Sequence, residues 1–310
     1  MHSRASPPAR PDTRKHRPVN RPPATPGHRV AALPDVALQP EEPPAAEWWA
    51  TDRGTLVHHL LSLRETPTDR PRIIAIDGRG GSGKTTLAAL LQRAIPKTAV
   101  LHTDDLAWNE PLFQWDHVLI DALEQLHVTG ALALTPPAWR AHGREGHIVI
   151  PPGTTTVLVE GTGAGMRAAT PLLDAHLWVQ TADDVAQERG LRRDIAEGTN
   201  GDAVESVRFW HHWMAAERAF FAEDRPWERA DVILCGVTLP GVGAGEVAWN
   251  GPSHHGFDTG HSFVAARLNQ FRKKQSRGPA REHPSLKPVE PARERQRTAE
   301  SKPLASGGPT

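Results

Sequence analysis

The chain is short of several things. Over 310 residues it has one cysteine, Cys235, no tyrosine and no net charge, with 36 Lys and Arg against 36 Asp and Glu. A single cysteine excludes an intramolecular disulfide and any cysteine-rich metal site, and it fits a reducing cytoplasm. No run approaches the roughly 18 apolar residues of a membrane span, so no membrane partner is expected. The first residues also lack the apolar core of a secretory signal. Histidines are frequent but come as neighbours: His58-His59, His211-His212 and His254-His255. Adjacent residues do not share a helix face, so these pairs read as ordinary surface or core histidines rather than as ligands.

Proline is abundant instead, and unevenly spread. Of the 29 Pro, eleven fall in residues 1–44. That stretch has almost no apolar periodicity and cannot bury enough surface to offset the entropy of ordering it. Residues 1–45 are therefore expected to be a disordered Pro- and Arg-rich extension. Residues 248–310, rich in Gly, Pro, His and Arg, are expected to be a largely disordered basic tail. Seven basic groups in residues 1–40 face only Asp12 and Asp35. With the total balanced, the central part must be acidic. Basic tails can touch nucleic acid, but no aromatic residues are interleaved with these cations, so a nucleic-acid partner is not expected. A homo-oligomer is compatible with the sequence. Residues 46–247 hold every strand and motif named below, and a chain trimmed to them is expected to fold alone.

Within 46–247, apolar runs of strand length alternate with helical stretches, which argues for a parallel sheet built from βα units. The strand runs are 73–76, 99–102, 157–160, 176–179 and 232–234. Helical spacing covers 84–95, 115–127, 183–197 and 202–221. Thr51-Asp52 is placed to cap a further helix through Leu63.

The strongest motif is Gly78-Arg79-Gly80-Gly81-Ser82-Gly83-Lys84-Thr85, followed by Thr86. It matches G-x-x-x-x-G-K-[ST] at every fixed position, between a strand and a helix as that motif requires. Glycines let the backbone turn its N–H groups onto a phosphate, and the helix that follows offers its N-terminal dipole to the same anion. Residues 78–86 are therefore expected to bind ATP, with Lys84 at the β/γ-phosphates and the Thr85 hydroxyl on Mg²⁺. This predicts an α/β P-loop NTPase: three layers, α/β/α, with a five-stranded, mainly parallel sheet and a helical lid.

His102-Thr103-Asp104-Asp105 closes the second strand, where a carboxylate enters the ligand crevice of such sheets. A kinase needs a base there, and either aspartate could equally be a helix cap. Further on lie Trp115-Asp116-His117, Pro137-Ala138-Trp139-Arg140-Ala141-His142-Gly143-Arg144, Glu160-Gly161, and a helix carrying Arg189, Arg192, Arg193 and Asp194. In this order the set resembles the uridine kinase branch of the uridine kinase, phosphoribulokinase and pantothenate kinase family, over about residues 72–235. The resemblance implies a small-molecule kinase taking ATP and a hydroxyl-bearing acceptor, most simply a uridine- or cytidine-like nucleoside. It implies Asp104 as general base, with Lys84, Arg189 and Arg193 stabilising the transferred phosphoryl group. Thr85 and Glu160 would hold Mg²⁺. Asp116, Trp139, His142 and Arg144 would contact the acceptor. Another hydroxyl metabolite, a sugar or a pantothenate-like molecule, and a nucleotide-binding regulatory protein are the alternatives. The departures fall on the acceptor side. The family's tyrosine is Trp139, its following aspartate is Arg140, its aromatic pair is Leu106-Ala107-Trp108, and a lid arginine becomes Gly190.

Overall fold

The computed structural model describes residues 27–30, 37–39, 41–45 and 47–251. In chain order its elements are β1 (His28–Val30), β2 (Trp48–Asp52), α1 (Arg53–Ser62), β3 (Arg72–Asp77), α2 (Lys84–Ala94), β4 (Thr98–His102), α3 (Thr103–Leu106) and α4 (Asp116–Thr129). There follow β5 (Leu132–Leu134), α5 (Pro137–Ala141), β6 (Ile148–Ile150), β7 (Thr156–Glu160), β8 (Ala175–Gln180), α6 (Asp183–Glu197), α7 (Ala203–Asp224), β9 (Val232–Cys235) and β10 (Glu246–Trp249).

The five expected strands form a parallel array in the order β4-β7-β3-β8-β9. Because side chains alternate across a strand, β3 serves two cores at once. Ile73 and Ala75 pack with Leu119, Leu123 and Leu126 of α4 on one face. Ile74 and Ile76 pack with Leu56 and Leu60 of α1 and with Leu87 and Leu91 of α2 on the other. That makes three layers, with the C-terminal end of β3 at the middle of the sheet.

The helix ends follow local chemistry. Asp52 accepts from the Thr55 amide at 3.0 Å, capping α1. Asp202 and Glu205 form a capping box on α7, satisfying two otherwise orphaned amides. Arg225, in the left-handed region at φ 48, ends α7, and Pro226 follows it.

The sheet has eight strands rather than five. β10 pairs antiparallel with β9 and β2, and β1 pairs antiparallel with β2. Two expected boundaries are thereby corrected. Residues 28–30, assigned by composition to a disordered extension, form a strand, and Glu42 from the same stretch is buried. At the other end β10 runs past residue 247. Trp249 is buried, with its indole N–H on Thr51 Oγ1 at 2.9 Å and its ring against His59. Composition missed both because three or four residues of strand barely register inside a proline- or glycine-rich stretch. The remainder of both extensions lies outside the described residues. Among the described residues no helix is long and apolar enough to cross a membrane.

Candidate active site

The phosphate loop joins β3 to α2, and a cleft of about 1040 Å³ opens over it. Gly81 shows why glycine is needed. It sits at φ 78, and a Cβ there would run into the backbone carbonyl of Ala186 on α6. Asp77, fully buried at the end of β3, ties the loop to the turn after β7. It accepts from the amides of Gly78 at 2.7 Å, Gly163 at 2.9 Å and Gly165 at 2.8 Å. Burial pushes its carboxyl up to about 6, against the opposing pull of those amides and Lys84. Buried His176, 4.0 Å away, is pushed down to about 3 by desolvation and is neutral.

Lys84 Nζ donates to the Arg79 carbonyl at 2.8 Å and to Thr162 Oγ1 at 3.3 Å. The Thr85 hydroxyl donates to Glu160 Oε1 at 3.1 Å, and the second Glu160 oxygen meets His102 Nδ1 at 2.8 Å. Burial raises the Glu160 carboxyl, but the bond to His102 and the charge of Lys84 outweigh it and leave it below its ordinary range. The same bond raises the His102 imidazole.

The two candidate bases separate cleanly. Asp104, in the first turn of α3, lines the cleft with Lys84, Thr85 and Glu160. Desolvation by the surrounding protein raises its carboxyl, Glu160 adds to the rise, and Lys84, His102 and Arg193 oppose it. Asp105 is committed elsewhere. Its carboxylate takes Arg144 Nη2 at 2.5 Å, and its carbonyl takes the Trp139 indole N–H at 2.8 Å.

The arginines of α6 also sort by face. Arg189 and Arg193, four residues apart and hence on one side of the helix, line the cleft. Arg189 donates to the Gly236 carbonyl at 2.8 Å, and Arg193 to Asp194 Oδ1 at 2.8 Å. Arg192 instead pairs with Glu188 on the exposed face.

The acceptor set is arranged differently from expectation. Trp139, His142 and Arg144 come together, but around Asp105 and Trp108 rather than on the cleft. The Arg144 guanidinium covers the Trp139 ring at 3.6 Å from its centroid, and Trp139 is buried. Trp108 adds a second ring at 5.4 Å and meets His142 edge-on. Asp116 opens α4 and does not line the cleft. Aromatic lining comes instead from α7, as Phe209, Trp210 and Trp213. The last meets Phe113 at a tilt, with centroids 5.1 Å apart. In the sequence these tryptophans read only as the apolar stripe of a helix.

The Arg79 side chain, placed in the ATP set by the motif, turns away from the cleft. It is 1% exposed, meets Glu42 Oε2 at 2.6 Å and pairs with Asp183. Glu42 also takes the Trp178 indole at 2.7 Å and the Gln180 amide at 3.0 Å.

A glycine-rich loop leading from the central strand of a parallel α/β sheet into a helix, with its lysine held over a cleft, defines a P-loop nucleotide-binding fold. No family model matches the chain. Over 151 residues it is 27% identical to a uridine kinase of Borreliella burgdorferi (strain ZS7), spanning 44% of this chain and 72% of that one. It is 25% identical over 151 residues to a uridine kinase of Borrelia garinii subsp. bavariensis, with the same coverage. A structure described as a possible uridine kinase from Bacillus stearothermophilus aligns at a TM-score of 0.39 and 19% identity, covering 58% of this chain and 95% of that one. The chain is similar to uridine kinases.

Proposed function

We propose that this protein transfers the γ-phosphoryl group of ATP to a hydroxyl of a small molecule, with a uridine- or cytidine-like nucleoside as the acceptor. The observation that carries this is the meeting of Asp104, Lys84, Thr85, Glu160 and Arg193 on one cleft. A protein that only sensed nucleotide would need no carboxylate base beside its phosphate loop. The uridine kinases to which the chain is similar supply the acceptor class.

In this reading the phosphates lie on the amides of the loop and the helix N-terminus that follows. Asp104 holds the acceptor hydroxyl and takes its proton as the oxygen bonds to the γ-phosphorus. The bond from that phosphorus to the β,γ-bridging oxygen breaks, and its electron pair leaves on ADP. Lys84, Arg189 and Arg193 offset the charge spread over the transferred oxygens, the main protein contribution to such transfers. α6 and α7, packed on the loop beside the cleft, would exclude water that would otherwise take the phosphoryl group.

Thr85 and Glu160 fit a magnesium ion. Their oxygens are 3.1 Å apart beside the loop, and this ion accepts one or two protein oxygens, with phosphates and water completing its shell. Bound there with ATP, it would supply charge neutralisation at the β- and γ-oxygens.

One observation favours a second acceptor class. The Trp139 face is covered by Arg144, so a flat base cannot stack on it without displacing the guanidinium. A sugar or a pantothenate-like alcohol would not require that surface. The deciding experiment is ATP consumption by the full chain against a panel of nucleosides, sugars and pantothenate. Strong stimulation by uridine or cytidine supports the first acceptor class, and stimulation by another alcohol selects the second. No stimulation by any acceptor would overturn the kinase reading.

A further inference from the structure

Glu217 lies on α7, four residues beyond Trp213 and so on the same side of the helix. It is 2% exposed. Its Oε1 accepts the backbone N–H of Gly80 at 2.7 Å and the Trp213 indole N–H at 3.2 Å. A carboxylate is buried at considerable cost unless it is bonded and near opposite charge. Here burial raises the Glu217 carboxyl above its ordinary range, and the Gly80 amide, Lys84 and Arg79 offset only part of that rise. Gly80 lines the cleft and Glu217 does not, so the bond grips the phosphate loop from its outer side and leaves the inner amides free.

The surrounding contacts are tight. A Cβ on Gly80 would lie 3.1 Å from the Trp213 indole nitrogen and 3.3 Å from the Trp210 ring. Trp210 fills the notch left by Gly190 on α6, and its indole N–H donates to Asp194 at 2.8 Å. Loop, α6 and α7 therefore pack as one body, and Glu217 makes a polar tie from α7 to the loop.

We propose that Glu217 is a positioning residue that ties the phosphate loop to α7, so that the loop amides keep their inward orientation only while the lid helix is seated. ATP affinity then depends on a residue that touches no part of the nucleotide. The second half of this inference rests on the reading that ATP occupies the loop. The tie itself does not.

Two measurements on the full chain test it, one with nucleotide and one without. Leaving a buried N–H without its acceptor typically weakens an interaction on the order of tenfold to a hundredfold. Glu217→Ala is expected to weaken Mg·ATP binding by about that factor, raising KM for ATP well before kcat falls. Glu217→Gln keeps an acceptor oxygen at the same reach and is expected within about threefold of wild type. Glu217→Asp keeps the charge but draws back by one methylene, and is expected to resemble the alanine variant. Should Glu217→Ala fail to fold, the order Gln above Asp carries the test alone, since it reports reach rather than charge. Without nucleotide, the Gly80 amide should exchange hydrogen faster in the Ala and Asp variants and at the wild-type rate in Gln. Wild-type ATP affinity together with unchanged Gly80 exchange in Glu217→Ala would overturn the proposal, as would Asp behaving as wild type while Gln does not. If wild type bound no Mg·ATP, the kinase reading would fail, and the exchange of Gly80 would still decide whether the tie exists.

Discussion

Arg79 and Glu42 face each other at 2.6 Å with both side chains almost completely buried. The arginine belongs to the phosphate loop, and the glutamate to a stretch whose composition predicts disorder. Removing one partner of a buried ion pair typically costs about 3–5 kcal/mol, and here Asp183, which also pairs with Arg79, holds the loss to the lower end of that range. Glu42→Ala, or a chain beginning at residue 46, is expected to lose stability on that scale in denaturant titration, and to bind Mg·ATP more weakly. A trimmed chain of unchanged stability would show that this pair is not formed in solution. The expectation that residues 46–247 suffice is thereby replaced.

Asp104→Asn separates transfer from binding. The amide keeps the shape but cannot take the acceptor's proton, and loss of a general base typically costs about 10²–10⁴-fold in turnover. Mg·ATP affinity, measured beside it, is expected to be unchanged, because the loop and Glu160 are untouched. Equal loss of both would make Asp104 a metal or structural residue. Asp105→Asn is expected to affect turnover less, since that carboxylate is occupied by Arg144.

Gly190→Ala sets two effects against each other. An alanine within a helix is favoured over glycine by about 1 kcal/mol. At this position, however, the new Cβ would enter the Trp210 ring, and overpacking of this kind costs about 1–3 kcal/mol. A net loss of stability is expected, along with weaker seating of α7. Trp210→Leu in the same chain should reverse part of it. A stabilised Gly190→Ala variant would mean that Trp210 does not occupy the notch.

Asp77 gives the stability a definite pH dependence. Its folded value, about 6, lies above the ordinary carboxylate value of 3.8. The folded state therefore holds this proton more tightly. The group's contribution is fully present below about pH 4 and is lost as pH rises through 6, a difference of about 3 kcal/mol. His176, neutral in the fold but protonated in the unfolded chain below its ordinary 6.5, acts in the opposite sense, and it cancels between two proteins that both carry it. Between pH 4 and 7 the wild type is expected to lose stability relative to Asp77→Asn, as read from denaturant midpoints at fixed salt. A constant difference across that range would exclude the assignment.

Much of the fold was legible because its signals are local. The phosphate loop is a contiguous motif, the five parallel strands are apolar runs, and the cap at Asp52 sits beside the helix it starts. Three strands of the main sheet were not legible, since β1, β2 and β10 are short and mixed in composition, and their pairing is settled by register over distance. Trp49 lies opposite Trp249, a relation no window of sequence contains. The site divides in the same way. Order along the chain brought Lys84, Thr85, Asp104 and Glu160 together on paper. The choice between Asp104 and Asp105 needed the partner Arg144, thirty-nine residues on. Likewise Glu217 looked like one more polar position of a long helix until its carboxylate reached Gly80.

The pairing of β2 with β10 has a consequence for synthesis. Residues 48–52 leave the ribosome early, while their partners at 246–249 come nearly two hundred residues later. Until then β2 lacks one neighbour, and β9 has an open edge where β10 will dock. Such edges invite pairing with other chains, and contacts of this sequence separation form slowly. The nascent protein therefore completes its phosphate loop, α6 and α7 before it can close its sheet. A chain stopped short of Trp249 would carry the chemistry and leave the seam unsealed.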